Sequence, residues 1–126
     1  MKKILVFCVF VALFLAGWLL LNVKAPTHYG AVIAADAPLV KMADAYGNQE
    51  RYLSTPVVMQ GKITRQCPSS GCWFYLDDAS GRQIKVELGH LGLKFPQWVG
   101  RSAKIEGRLL QNKEELELVG NGAEFF

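Results

Sequence analysis

Histidine and cysteine are scarce in this chain of 126 residues, which has two of the first and three of the second. Cys8 lies inside an apolar N-terminal run, which leaves Cys67 and Cys72 together with the scattered His28 and His90. A structural zinc site takes four convergent nitrogen or sulfur ligands, so none is expected. The chain also lacks a basic stripe. It carries 14 Lys and Arg against 11 Asp and Glu, and without Lys2 and Lys3 the balance is twelve against eleven, with the signs interleaved. Nucleic-acid binders concentrate positive charge on one face, so that function is disfavoured. No pair of carboxylates is spaced for acid–base work. Asp77 and Asp78 are adjacent at a turn, where neighbouring side chains face opposite ways. A non-enzymatic protein is expected.

A long apolar run is present, at the N-terminus. Residues 4–21 are apolar or small throughout, behind Lys2-Lys3 and ahead of Asn22-Val23-Lys24. About 20 such residues at ~1.5 Å each cross a bilayer core of about 30 Å, whereas a cleaved signal has an apolar stretch of about 7–15 residues. The nearest small-x-small site, Val23-Lys24-Ala25, is followed by Pro26, which suits cleavage poorly. Residues 1–24 therefore read as an uncleaved signal anchor, with a cleaved signal as the alternative. In either case the rest is exported, and Lys2 and Lys3 hold the N-terminus in the cytoplasm. The expected location is the inner membrane, single-pass, with the C-terminal domain in the periplasm or another extracytoplasmic space. The run also inflates the 51% hydrophobic content and the mean hydropathy of +0.16.

Residues 25–37 combine Pro, Gly and Ala without amphipathic period and read as a linker, with His28 and Tyr29 at the level of the membrane surface. Leu39, Met42, Ala43 and Tyr46 share one helical face, so a short helix is expected there, started by Asp36 or Ala37-Pro38 and stopped by Gly47. From Pro56 onward the period becomes two. Strands are predicted over 56–66, 72–78, 82–88, 102–110 and 114–119, with a loop over 89–100 and a terminal Ala-Glu-Phe-Phe packed back on the sheet. Five strands with the longest connection between the third and fourth is the order of an OB-fold barrel. The expectation is an all-β fold: a small five-stranded OB-fold barrel, residues 38–126, with an N-terminal transmembrane helix and a short helix before its first strand.

The stretch 61–78, GKITRQCPSSGCWFYLDD, carries the chemistry. Cys67 and Cys72 are expected opposite each other across a hairpin turned by Pro68-Ser69-Ser70-Gly71. A disulfide clamping that hairpin is the first reading, since exported cysteines persist as disulfides. A second is a soft-metal site, in which a thiophilic ion such as Cu(I) is held by Cys67 and Cys72 with Met59 or His90 added. Thiol–disulfide exchange is a third, weakened because the pair flanks a β-turn rather than opening a helix. Beside the cysteines, Trp73, Tyr75, His90, Phe95 and Trp98 are candidates for a ligand or partner face, and equally for cover over the core.

These residues also bear a resemblance. Gly61-Lys-Ile, then Cys67-Pro-Ser-Ser-Gly-Cys-Trp73, Lys85-Val86, Phe95-Pro96 and Gly100-Arg-Ser-Ala-Lys-Ile-Glu106-Gly107 resemble a family of small exported bacterial OB-fold domains with no assigned function. The resemblance spans roughly residues 57–110 and implies the fold and an extracytoplasmic place, not an activity. A looser likeness is to the membrane-tethered OB-fold haem chaperone of cytochrome c maturation. That family attaches haem through a histidine near the C-terminal end of its barrel, and no histidine follows His90 here. The expected function is an accessory or binding module, held to the membrane by its N-terminal helix, in an envelope protein complex, with no cofactor of its own.

Overall fold

The structure, a computed structural model, describes residues 1–21, 27–113 and 115–126. The first helix, α1 (Lys2–Leu21), is apolar on every side and buries none of its side chains. A helix uniformly apolar around its circumference is built for lipid or a core, and this one is long and apolar enough to cross a membrane. The proposed cleavage site and the junction between anchor and linker fall at residues 22–26, outside the described residues.

Five strands close into a barrel. They are β2 (Val57–Gln66), β3 (Trp73–Asp77), β4 (Gln83–Glu87), β5 (Ser102–Asn112) and β6 (Glu115–Phe125). Around the barrel the order is β6-β4-β3-β2-β5, and β5 pairs with β6 to complete the circuit. Every pairing is antiparallel except β4 with β6, which is the Greek-key order of an OB-fold. Alternate residues fill the interior. Ile63, Phe74, Leu76, Ile84, Val86, Ile105, Leu109, Leu116 and Leu118 are all buried, and their sequence neighbours point outward. Full closure leaves no free edge within the barrel.

Two glycines mark the sharpest coiling. A side chain at Gly61 would stand 2.6 Å from the Asp77 carbonyl oxygen, and one at Gly107 would run into the Val119 carbonyl. Gly107 also sits at a register shift between β5 and β6, so this is where the strand bends to close the barrel.

Three features depart from the sequence reading. First, the segment expected to be a loose linker is folded from Thr27. A short strand, β1 (Thr27–Gly30), pairs antiparallel with the end of β6, and Ile33 is buried. Tyr29, expected at the membrane surface, packs against Phe95, Trp98 and Phe125 instead. Second, β6 runs on through Gly120-Asn121-Gly122 to Phe125, past the strand end expected at residue 119. The absent side chains let the strand pass Leu88 on one side and the Ala31 carbonyl on the other. The terminal segment does return to the core, with Phe125 fully buried. Third, the helix expected from Leu39 begins only at Met42: α2 (Met42–Gly47) buries Met42 and Ala45 while Leu39 stays exposed, and a second short helix, α3 (Gln49–Leu53), follows it.

The start signal for α2 comes from a distant part of the chain. Its N-cap position, Lys41, makes no side-chain cap bond. Asp78 Oδ2 accepts from the Met42 N–H at 2.8 Å, and Ser80 Oγ accepts from the Ala43 N–H at 3.1 Å. The β3–β4 turn therefore caps a helix 36 residues earlier. Burial pushes the Asp78 carboxyl upward, but hydrogen bonds from the Ser80 side chain and from the Met42 and Ser80 N–H groups outweigh it and hold the group below the usual carboxylate range. Replacing Asp78 with Ala should lower stability by about 1 kcal/mol, as for other lost caps. A carboxyl depressed in the folded state stabilises above the ordinary carboxylate range and loses that contribution as pH falls through its folded value. Urea unfolding of wild type and Asp78→Ala should therefore diverge near neutral pH and converge as pH falls below the ordinary carboxylate range. A constant gap across that range contradicts the capping role.

Candidate functional site

The β2–β3 hairpin positions the cysteines, with a register different from the predicted one. Gln66 pairs with Phe74, and the Cys67 N–H donates to the Trp73 carbonyl at 2.9 Å. Cys67 thus lies across from Trp73, and Cys72 sits one place further round the loop. The connection is no simple β-turn. The Gly71 N–H donates to the Cys67 carbonyl at 3.1 Å, making one α-helical turn from Cys67. Gly71 ends it at φ +66°, and any side chain there would run into the Phe95 carbonyl, so only glycine fits.

The expected disulfide is not formed: both cysteines stand as free thiols, Cys67 buried and Cys72 partly exposed. One hydroxyl lies between them. Ser70 Oγ lies 2.9 Å from Cys72 Sγ and 3.6 Å from Cys67 Sγ, so its one proton can go to either sulfur, and Cys67 Sγ also touches Ser69 Oγ at 3.3 Å. The Ser69 side chain, then the Ser70 N–H and hydroxyl and the Ser69 N–H, lower the Cys67 thiol to about 6, against the upward push of burial. Hydrogen bonds donated to a sulfur favour its thiolate form. The sequence reading assigned this loop to a β-turn and so missed that feature.

The loop is fastened to the segment before β5 by Gln66, the one buried polar residue among the described residues. Its Nε2 donates to the carbonyls of Gly71 (3.1 Å) and Pro96 (2.9 Å), and its Oε1 accepts from the Trp98 N–H at 2.7 Å. Two further bonds run alongside, Phe95 N–H to the Ser70 carbonyl and Gln97 Nε2 to the Cys67 carbonyl, each 2.8 Å.

The five aromatic and histidine candidates separate. Trp73 and Tyr75 point outward from β3, half-buried, in edge contact at 6.2 Å. Two cations missed by the sequence reading join them. Arg65 lies 4.4 Å from the Tyr75 ring centre and 5.9 Å from that of Trp73, and Lys85 is 5.8 Å from Trp73. Their position on alternating strands was the available signal, but which strands adjoin could not be read locally. Phe95 and Trp98 turn inward: Phe95 is buried, and Trp98 packs on Phe125 at 4.4 Å between ring centres. Both pack as cover on the core. His90 stays exposed on the short turn Gly89–Leu91.

The four-residue metal set does not assemble either. Met59 is fully buried in the barrel, opposite Ile105 on β5, and no group of three His, Cys, Asp or Glu among the described residues is placed to hold an ion. A groove of about 680 Å³ borders β2, lined by Lys41, Gln60, Lys62, Thr64 and Asp77 among others. Thr64 borders it and accepts a bond from Gln83 Nε2 at 3.4 Å.

No protein-family model and no curated protein matches the chain. Among solved structures, it is similar to the hypothetical protein ygiW of E. coli, with 16% identity and a TM-score of 0.52, over 78% of this chain and 100% of that one. At that identity the likeness concerns the fold, and it agrees with the barrel described above. Losing the Gln66 amide would leave two carbonyls and one N–H without partners at about 1–3 kcal/mol each. Gln66→Ala should accordingly lower the unfolding free energy by about 3 kcal/mol and deprotect the Gly71 and Trp98 amides in hydrogen exchange. A loss under 1 kcal/mol would show that the loop is held by something else.

Proposed function

We propose that this chain is a membrane-tethered, extracytoplasmic binding module whose ligand face is the outer surface of β2, β3 and β4 beside the cysteine loop. One observation carries the reading: two large aromatic side chains, Trp73 and Tyr75, stand outside the barrel, bracketed by Arg65 and Lys85. The interior does not need them, since Phe74 and Leu76 already fill it from the same strand. Aromatic rings on this face of an OB-fold offer stacking area, and the strands beside them form the usual ligand platform of the fold. The flanking cations favour a ligand or partner segment with a flat or apolar group to lie on the rings and an acidic group to meet Arg65 or Lys85.

Tethering through α1 would hold the face close to an envelope complex and raise its effective concentration there. The role is that of an accessory subunit without catalysis. Nucleic acid does not suit it, because the two cations form a local pair and not a stripe.

The test uses the full chain in cells, with a photo-crosslinking side chain placed singly at positions 75, 85 and 110. Leu110 is 54% exposed and lies on β5, away from the proposed face. A discrete adduct at 75 and 85, none at 110, and an adduct at 85 reduced at least tenfold by Trp73→Ala are expected. Equal labelling at all three positions, or an adduct unaffected by Trp73→Ala, sinks the reading.

A further inference from the structure

The two sulfurs are not arranged as a permanent clamp. They differ in exposure, share the Ser70 hydroxyl, and sit in a loop shaped by hydrogen bonds that do not involve either of them. We propose that Cys67 and Cys72 form a thiol–disulfide exchange site, in which Cys72 is the sulfur that meets an external thiol or disulfide and Cys67 is the sulfur that resolves or leaves. This inference is independent of the ligand bound at the aromatic face.

The assignment of roles follows from position. Cys72 is the partly exposed sulfur, whereas Cys67 is only 8% exposed. An incoming disulfide therefore reaches Cys72 first. The Cys72 thiolate, its proton lost to solvent, attacks one sulfur of the external disulfide. A Cys72 mixed disulfide forms and one external thiolate departs. Cys67 then attacks the Cys72 sulfur, the Cys67–Cys72 bond forms, and the second external thiolate leaves. The protein dithiol has lost two electrons, and the external disulfide has become two thiols. In the reverse direction an external thiol attacks Cys72, and Cys67 departs as thiolate.

The surroundings of Cys67 favour both of its steps. The N–H groups and hydroxyls of Ser69 and Ser70 lower its thiol to about 6, so it is present as thiolate at neutral pH. A thiol of low pKa is also the faster leaving group. Stabilising the thiolate stabilises the reduced form, which makes the matching disulfide easier to reduce. No charged side chain contributes to that lowering. Glu87, whose Oε1 accepts from the Gly89 N–H, lies on the Cys72 side, and Arg65 is engaged with the rings of Tyr75 and Trp73. Ser69 and Ser70 are positioning residues, acting through hydrogen bonds to sulfur.

The experiment equilibrates the full chain in detergent with mixtures of reduced and oxidised glutathione, traps it with acid, and counts free thiols by maleimide labelling and intact mass. Cys8 gives a constant count of one. Three labels in excess reduced glutathione, one label in excess oxidised glutathione, and coexistence between them are expected. Cys67→Ser should accumulate one glutathione on Cys72, whereas Cys72→Ser should react at least tenfold more slowly. In the Ser69→Ala/Ser70→Ala variant, which keeps every backbone hydrogen bond of the loop, the pH midpoint for Cys67 alkylation should rise from near 6 toward the ordinary thiol range of about 8.5. The glutathione ratio at half-oxidation should shift at least tenfold toward the disulfide. A disulfide that never forms, one that resists millimolar reduced glutathione, glutathione accumulating on Cys67 in preference to Cys72, or co-purified metal that blocks both thiols would each overturn the proposal.

Discussion

One buried amide governs the end of the barrel that carries the cysteine loop. Gln66 closes β2, and its three hydrogen bonds join the cysteine loop to the strap that carries Phe95, Pro96 and Trp98. A neutral hydrogen bond adds only about 1 kcal/mol net, but a buried partner left unpaired costs about 1–3 kcal/mol. The three groups facing Gln66 therefore make the arrangement nearly all-or-none. The α-turn at Cys67, the inward set of Phe95 and the seat of Trp98 on Phe125 are held together or lost together.

That dependence changes how the cysteines should be understood. A bond closing so short a loop would add about 2 kcal/mol by the chain-entropy argument, no more than the Gln66 network already supplies. The loop keeps its shape with both sulfurs free, so a covalent link is not what holds the hairpin. Geometry enforced from outside the sulfurs is what the proposed exchange site requires. It also aims the Ser69 and Ser70 donors at Cys67, where a flexible loop would scatter them. A small barrel often needs a staple, but here the strand from Thr27 and the extended β6 add pairing and apolar cover instead.

What could be read from the sequence was whatever depends on near neighbours. The alternation of Ile84 and Val86, Ala103 and Ile105, and Leu116 and Leu118 indicated strands and their inward faces, and glycines 61 and 107 indicated where they bend. The barrel followed from strand count and loop lengths. The features that were not legible all depend on contacts across the fold. Asp78 caps α2 from 36 residues away, and no local rule searches that far. Thr27–Gly30 has no period of its own and becomes a strand only because the end of β6 offers a partner. The cysteine loop carries a turn-forming Pro-Ser-Ser-Gly, which fits a β-turn and an α-turn equally until Phe95 and Gln66 select one. Met59 looked available as a ligand because a thioether has that chemistry, yet its strand position points it into the core.

The aromatic residues show why type alone could not separate core from surface. Phe95 and Trp98 lie in a loop without period, so nothing in their spacing assigned a direction. They turn inward because Tyr29 and Phe125 present rings to meet them. Trp73 and Tyr75 lie on a strand, where period two is strict, and Phe74 and Leu76 hold the inward positions. Their outward direction was therefore determined by their neighbours, and β3 could not bury them without exposing Phe74. A one-residue slip would exchange the two sets, and the short turn clamped at Gln66 forbids it. The same restraint that shapes the cysteine loop thus keeps Trp73 and Tyr75 on the outside, beside Arg65 and Lys85, so the cysteine loop and the outward aromatic pair depend on a single structural cause.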